Sequence, residues 1–198
     1  MNLCKVCFKK IEKTGINSLF KKCTICQSCY NSLDVIFQKI KIDDINGIAI
    51  YSYNKTMEKL IFQFKGCFDV ELKTIFLERH LSELRLMYKD YVIVPIPSHI
   101  NSDKERGFNH VEEVFAELKL PIYPCLKKKY NFKQSDLSKR EREKIINKLF
   151  IEKGELVKNK KVLLVDDVIT TGSSLKAGIN LLKKYFPKKI ELLILCKK

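Results

Sequence analysis

Val162-Leu163-Leu164-Val165-Asp166-Asp167-Val168-Ile169-Thr170-Thr171-Gly172-Ser173-Ser174, near the C-terminus, is the stretch whose reading decides the fold. Four apolar residues run without a break into two adjacent carboxylates. A Thr/Gly/Ser turn follows, and Leu175 to Lys184 then has the pattern of a helix. An uninterrupted apolar run suits a strand covered on both faces, as in a parallel sheet. Open α/β sheets bind ligands at the carboxyl ends of their strands. The turn has small side chains and opens a helix, whose free N–H groups and positive dipole end suit a phosphate. Two acids beside a phosphate cradle imply a ligand with both hydroxyls and a phosphate, and a ribose 5-phosphate fits.

The 198 residues are enough for one sizeable domain with a small appendage, and enough to bury a core. Lys and Arg total 38 against 23 Asp and Glu, a net charge of +15. Such an excess points to a polyanionic ligand or partner, or else to a merely solvated Lys-rich surface. No run is long and apolar enough to cross a bilayer, and Cys4 and Cys7 stand where a signal sequence would be apolar. A cytoplasmic protein without membrane insertion is expected.

Five of the eight cysteines fall in the first 29 residues, as Cys4-x2-Cys7 and Cys23-x2-Cys26-x2-Cys29. Paired C-x2-C knuckles at this separation are a zinc pattern. Either Cys23 with Cys26 or Cys26 with Cys29 closes the set. Four thiolates leave no open coordination position, so the zinc is expected to be structural. A segment this short has no core of its own and needs such a staple. Cys67, Cys125 and Cys196 stand alone in apolar surroundings and read as small hydrophobes.

Between these landmarks the pattern predicts a helix over Leu33–Ile42, leading away from the knuckle, and a strand over Gly47–Tyr53. Asn54 is placed to cap a helix from Lys55 to about Phe64, stopped by Lys65 and Gly66. A second helix is predicted over Val70–Tyr88, with Leu72, Ile75, Phe76, Leu81, Leu84 and Leu86 as its core stripe. His80 in it reads as a surface or packed histidine. A strand over Tyr91–Ile96 then leads through a polar loop into a helix over Val111–Leu118. Parallel strands end on one side, so this loop shares the ligand edge with Asp166. Its candidate contacts are Ser98, His99, Lys104, Arg106 and Asn109. Pro121–Leu126 reads as a short strand. Lys127 to Lys148 holds nine Lys or Arg against three acids, with Tyr130 and Phe132 interleaved. It reads as a loop passing into a polar helix. Lys127, Lys128, Lys129, Lys133, Arg140 and Arg142 suit single-stranded nucleic acid, or a lid closing over a pyrophosphate. A final strand is expected over Ile190–Leu195.

The opening stretch resembles the phosphoribosyl pyrophosphate (PRPP) loop of type I phosphoribosyltransferases: apolar strand, paired acids, two apolar residues, Thr-Thr-Gly. Receiver domains also pair acids after a strand, but need far more chain beyond them than this sequence has. With the knuckles ending Cys26-Gln27-Ser28-Cys29, the resemblance narrows to the ComF family of competence-associated, phosphoribosyltransferase-like proteins. Phe64-Lys65-Gly66, Val94-Pro95-Ile96-Pro97, Arg106-Gly107-Phe108-Asn109, Gln134 and Leu137 carry it further. The Arg-Gly-Phe-Asn run discriminates best.

The resemblance implies an α/β fold, a type I phosphoribosyltransferase-like parallel sheet flanked by helices, with a small N-terminal zinc-binding module. Its division would be a zinc knuckle and leading helix over 1–42 and the α/β domain over 43–198. Asp166 and Asp167 would take the ribose hydroxyls and form the catalytic pair if a transfer occurs. Thr170, Thr171, Gly172, Ser173 and Ser174 would hold the 5-phosphate. Ser98, His99, Arg106 and Asn109 would lie on the pyrophosphate side, with magnesium accompanying PRPP. The zinc ligands would be Cys4, Cys7, Cys26 and Cys29. Partners implied are single-stranded DNA and a helicase-like competence ATPase. The family's loop before Gly107 is usually arginine-rich, whereas here Arg106 is its sole arginine, and His110 replaces the usual Gln.

Overall fold

A computed structural model describes residues 3–11, 23–98, 103, 107–128 and 149–198. Its centre is a five-stranded sheet in the order β1-β2-β7-β6-β3. The strands are β1 (Val35–Ile42), β2 (Ile45–Ser52), β3 (Tyr91–Pro95), β6 (Lys161–Ile169) and β7 (Lys189–Lys197). β2, β7, β6 and β3 run parallel, and β1 closes one edge antiparallel to β2. A two-stranded ribbon, β4 (Leu126–Lys128) with β5 (Leu149–Ile151), lies apart from it.

Alternation along the strands builds two cores. Leu163 and Val165 of β6, Tyr91 and Ile93 of β3, and Leu193 and Leu195 of β7 face one cluster. Val162 and Leu164, Val92 and Val94, and Leu192 and Ile194 face the other. This is the period-two signature of a sheet buried on both sides. The first face is covered by α2 (Lys55–Gly66), a 3-10 segment (Val70–Phe76) and α4 (His110–Ala116). The second is covered by α5 (Ser173–Lys183), through Leu175, Ile179 and Leu182. As predicted, Asn54 caps α2, its side-chain oxygen accepting from the Met57 N–H at 2.9 Å.

Four expectations are corrected. Leu33–Ile42 is not a helix leading from the knuckle: Val35–Ile42 is β1 of the main sheet. Its apolar residues satisfy helical spacing, but β-branched Val35, Ile36, Ile40 and Ile42 favour a strand, and β2 offers an edge to pair with. The helix over Val70–Tyr88 is broken into the 3-10 segment and α3 (Leu81–Met87), which leaves Leu86 on the surface at 74% exposure. The break is where the N-terminal module docks. Glu78 accepts from the N–H groups of Thr24 (2.9 Å) and Ile25 (3.1 Å) and from the Thr24 hydroxyl (2.6 Å). His80 is packed, its Nε2 at 3.0 Å from the Tyr30 hydroxyl. In Pro121–Leu126 only Ile122 bridges to the sheet, at Ile93, and the ordered strand starts at Leu126. Cys67, expected among apolar neighbours, is exposed at the end of α2, while Cys125 and Cys196 are buried.

Among the described residues no helix is long and apolar enough to cross a membrane.

Candidate functional site

Strand alternation sets the acid pair. Asp166 follows the parity of Leu164 and points to the α5 side, while Asp167 follows Val165 toward α2 and α4. Both line a cleft of about 330 Å³ at the carboxyl end of the sheet, together with Lys65, Pro97, Ser98, His110, Lys128 and Ser174. Asp166 Oδ1 accepts the Asp167 N–H at 2.9 Å. Burial pushes the Asp166 carboxyl up to about 7, against the pull of Lys65 and Lys128. An empty cleft therefore holds Asp166 partly protonated near neutral pH, and a ligand hydroxyl or cation that stabilises the charge would ionise it.

Asp167 has its own counter-charge. Lys65, from the last turn of α2, ion-pairs with its Oδ2, and His110 Nε2, from the first turn of α4, lies 3.4 Å from the same atom. His110 is 6% exposed and Asp167 is mostly shielded. Neither Lys65 nor His110 was singled out as a site residue in the sequence: Lys65 read as a helix stop and His110 as a replacement within a motif. A cation ending one helix and an imidazole starting another, both beside conserved-geometry loops of the cleft, are visible only once the helices pack side by side.

The phosphate turn forms as expected. Thr170 to Ser174 curve around a recess of about 70 Å³ whose far wall is Asp166. Gly172 sits in the left-handed region (φ +73°) as the N-cap of α5, a conformation other residues adopt at a cost. A Cβ there would come to 3.0 Å from Ile42 Cδ1. The Thr171 hydroxyl pairs with the Ser173 hydroxyl at 2.8 Å, leaving small polar groups at the rim. The cradle and the acid pair are thus adjacent, as one ligand would need.

The Gly107-Phe108-Asn109 part of the Arg-Gly-Phe-Asn motif is architectural. Gly107 has φ +80°. Phe108 packs on Phe64, ring centroids 5.4 Å apart. Asn109 was a candidate pyrophosphate-side contact, but its Oδ1 accepts from the N–H groups of Val111 and Glu112 as the cap of α4, and its Nδ2 donates to Asp103 at 3.1 Å. The motif aims His110 at Asp167. Ser98 lines the cleft and donates to Asp103. His99, Lys104 and Arg106 lie outside the described residues, as do Tyr130, Phe132, Lys129, Lys133, Arg140 and Arg142. Lys127 and Lys128, expected at the start of a loop, form β4, and Lys128 lines the cleft beside Asp166.

At the other end of the chain the sulfurs of Cys4, Cys7, Cys26 and Cys29 all lie within 4.8 Å of one another. Cys23 is not part of the cluster, which settles the choice between closures. Four converging sulfurs suit a tetrahedral zinc. Burial raises the Cys4 thiol, but the N–H groups of Cys26, Cys7 and Val6 outweigh it and bring the thiol down to about 7. Burial and the crowding of the other three sulfurs push Cys29 strongly up. Four thiols so close cannot all ionise without a cation among them. The cluster can hold a metal ion.

Residues 71–198 match the phosphoribosyl transferase domain family. Competence protein ComFC of Streptococcus pneumoniae (strain ATCC BAA-255 / R6) is 28% identical over 198 residues, covering 96% of this chain and 84% of the relative. Competence protein ComFC of Bacillus subtilis (strain 168) is 31% identical over 130 residues, covering 64% of this chain and 53% of the relative. Among solved structures, a hypoxanthine phosphoribosyltransferase from Staphylococcus aureus superposes with a TM-score of 0.40 at 17% identity, over 65% of each chain.

Proposed function

The chain belongs to the phosphoribosyl transferase domain family, as a ComF-type member, and on that premise we propose a competence-associated role in DNA uptake. In that role it holds a ribose 5-phosphate ligand of the PRPP type and engages single-stranded DNA. The observation that carries the ligand is the adjacency of the acid pair and the Thr170–Ser174 recess, which share Asp166 and Ser174. The recess takes the 5-phosphate on N–H groups and hydroxyls at the start of α5. Asp166 accepts a ring hydroxyl, and Asp167, fixed by Lys65 and His110, lines the opposite side of the sugar. Magnesium accompanies the pyrophosphate of PRPP, supplying charge neutralisation and keeping several of its waters. Zinc on the four cysteines is structural, and the module it closes offers a docking face for a helicase-like ATPase.

A calorimetric titration with PRPP and magnesium tests the ligand. Wild type should bind, and the Asp166→Asn, Asp167→Asn double variant should lose at least tenfold in affinity. Absence of binding by wild type overturns the ligand reading, and full binding by the double variant moves the site elsewhere. For DNA, affinity should fall steeply with salt, as phosphate contacts release counterions. A gel-shift assay with the Lys127→Glu, Lys128→Glu variant should weaken it severalfold. Unchanged affinity would take the DNA surface away from this ribbon.

A transfer reaction is a second reading, favoured by the Lys65–Asp167–His110 group, which places a proton-carrying imidazole at the sugar cleft. Assaying pyrophosphate release from PRPP with candidate acceptors tests it. Release that is absent in wild type, or unaffected by His110→Gln, removes His110 from any such step.

A further inference from the structure

A second cleft of about 330 Å³ opens beside the sugar pocket. The two share Pro97, Ser98 and Lys128, so a group carried on the sugar and directed past Ser98 enters it without crossing a barrier of main chain. Its lining differs in kind from its neighbour's. Pro97, Pro124, Leu126 and Phe150 supply flat apolar surface, and Glu112 and Glu152 supply carboxyl groups at the edge. Asp103 also lines it, but its two oxygens are taken by Ser98 and Asn109.

Charge argues against a bare pyrophosphate as the occupant. Among the described lining residues three acids (Asp103, Glu112, Glu152) face two lysines (Lys127, Lys128). Anion sites need the opposite balance or a cluster of free N–H donors. What the lining matches is a flat, uncharged ring bearing N–H groups. Phe150 and the prolines offer faces to lie against, and the two glutamates offer acceptors for edge donors. Burial raises the Glu112 carboxyl even with Lys127 near, so this group could serve a heterocycle as either hydrogen-bond donor or acceptor. The two clefts and the recess then run in a fixed order: recess at Thr170–Ser174, carboxylate at Asp166, hydroxyl at Ser98, ring platform at Phe150. Phosphate, sugar and base follow one another in that order in a nucleotide.

We propose that the second cleft is a base-binding room, and that the ligand class of the whole site is a nucleoside 5′-monophosphate. This rests on the placement of the sugar phosphate at Asp166. The probes are AMP, ribose 5-phosphate and magnesium-free PRPP, titrated calorimetrically into the full-length, metal-loaded protein. AMP should bind on the order of tenfold more tightly than ribose 5-phosphate, the increment that one base–aromatic stack supplies. PRPP without magnesium should gain nothing over ribose 5-phosphate. Phe150→Ala should erase the AMP advantage and leave ribose 5-phosphate affinity unchanged. Phe150→Leu keeps apolar volume without the ring and gives the same readout should the alanine variant fold poorly, with circular dichroism as the check. Equal affinities for AMP and ribose 5-phosphate in wild type, or an AMP advantage that survives Phe150→Leu, would overturn the base-binding room and leave the sugar-phosphate reading standing. If neither AMP nor ribose 5-phosphate binds, both fall.

Discussion

The cysteine knuckle and the acid pair are both clusters of like groups that repel when ionised, and the chain treats them in opposite ways. At the carboxyl end of β6, Asp167 receives a cation from the protein itself, Lys65, and Asp166 is allowed to take up a proton. At the knuckle no cation of the chain stands among Cys4, Cys7, Cys26 and Cys29 in the cluster they form. The first arrangement lets the site exist before its ligand arrives. The second makes the bound ion part of the fold, because the ligands have no other reason to converge. A region that carries its own counter-charge is pre-organised, and one that borrows it is conditional.

Removing the metal is the strongest way to break this contrast. Structural zinc supplies roughly 10–16 kcal/mol in isolated fingers at neutral pH. Chelation, or Cys26→Ser, should therefore release the N-terminal module, and with it Cys4, Ile25 and Leu33 from the core they share with Leu72, Ile75 and Phe76. Thermal melting should fall by many degrees, and reduced protein should carry one zinc per chain by metal analysis. A reduced, metal-free protein with unchanged melting would show the knuckle to be as self-sufficient as the acid pair.

Taking away the internal cation attacks the other side. Lys65→Met leaves Asp167 ionised in a mostly shielded position with only His110 beside it. Breaking one half of such a pair should cost about 3 kcal/mol, measurable by denaturant unfolding. The cost should largely vanish in the Lys65→Met, Asp167→Asn double variant, because the orphaned charge is then gone. If the double variant is no more stable than the single, Lys65 supports the fold by packing alone.

Asp166 tests the same idea through pH. Its carboxyl titrates near 7 when folded, above its ordinary value of 3.8, so the unfolded chain ionises first as pH rises. The stabilising effect of keeping this proton is complete below about pH 4 and is lost as pH climbs through about 7. Asp166→Asn escapes that loss. Its stability advantage over wild type should grow by about 2 kcal/mol between pH 5 and pH 8. An advantage that is flat with pH would mean the cleft is too wet to raise the carboxyl.

Which of these features the sequence revealed depends on how far apart their causes lie along the chain. β6 was legible because a strand buried on both faces leaves an unbroken apolar run, and its ligand turn follows directly. α2 was legible because Asn54 is its own signal. The cysteine spacing proposed both closures, and only the folded positions excluded Cys23. Leu33–Ile42 failed because its apolar spacing fits helix and strand alike, and the deciding partner is the edge of β2. The Val70–Tyr88 stripe failed because its break is imposed from outside, by Glu78 reaching to Thr24 and Ile25. Lys65 and His110 arrive at Asp167 from two different helices, so no local pattern announces them. Asn109, by contrast, was over-read: its motif is distinctive because it builds the start of α4.

The smallest expected effect bears on whether the ligand site is pre-organised by its backbone as well as by its charges. Gly172→Ala places a side chain at φ +73° and a Cβ 3.0 Å from Ile42 Cδ1. The conformation costs about 1 kcal/mol, and the Ile42 methyl, on a flexible side chain at the end of β1, can yield by the few tenths of an ångström required. The fold should therefore survive with a slightly lower unfolding midpoint. Phosphate binding should suffer more than stability does, because relaxing the strain moves the N–H groups that open α5 away from the recess. The comparison is read as the ratio of lost ribose 5-phosphate affinity to lost unfolding free energy. A variant that loses stability and keeps its affinity would show that the cradle tolerates a different turn, and that the pre-organisation of this end of the molecule resides in Lys65, Asp167 and His110 alone.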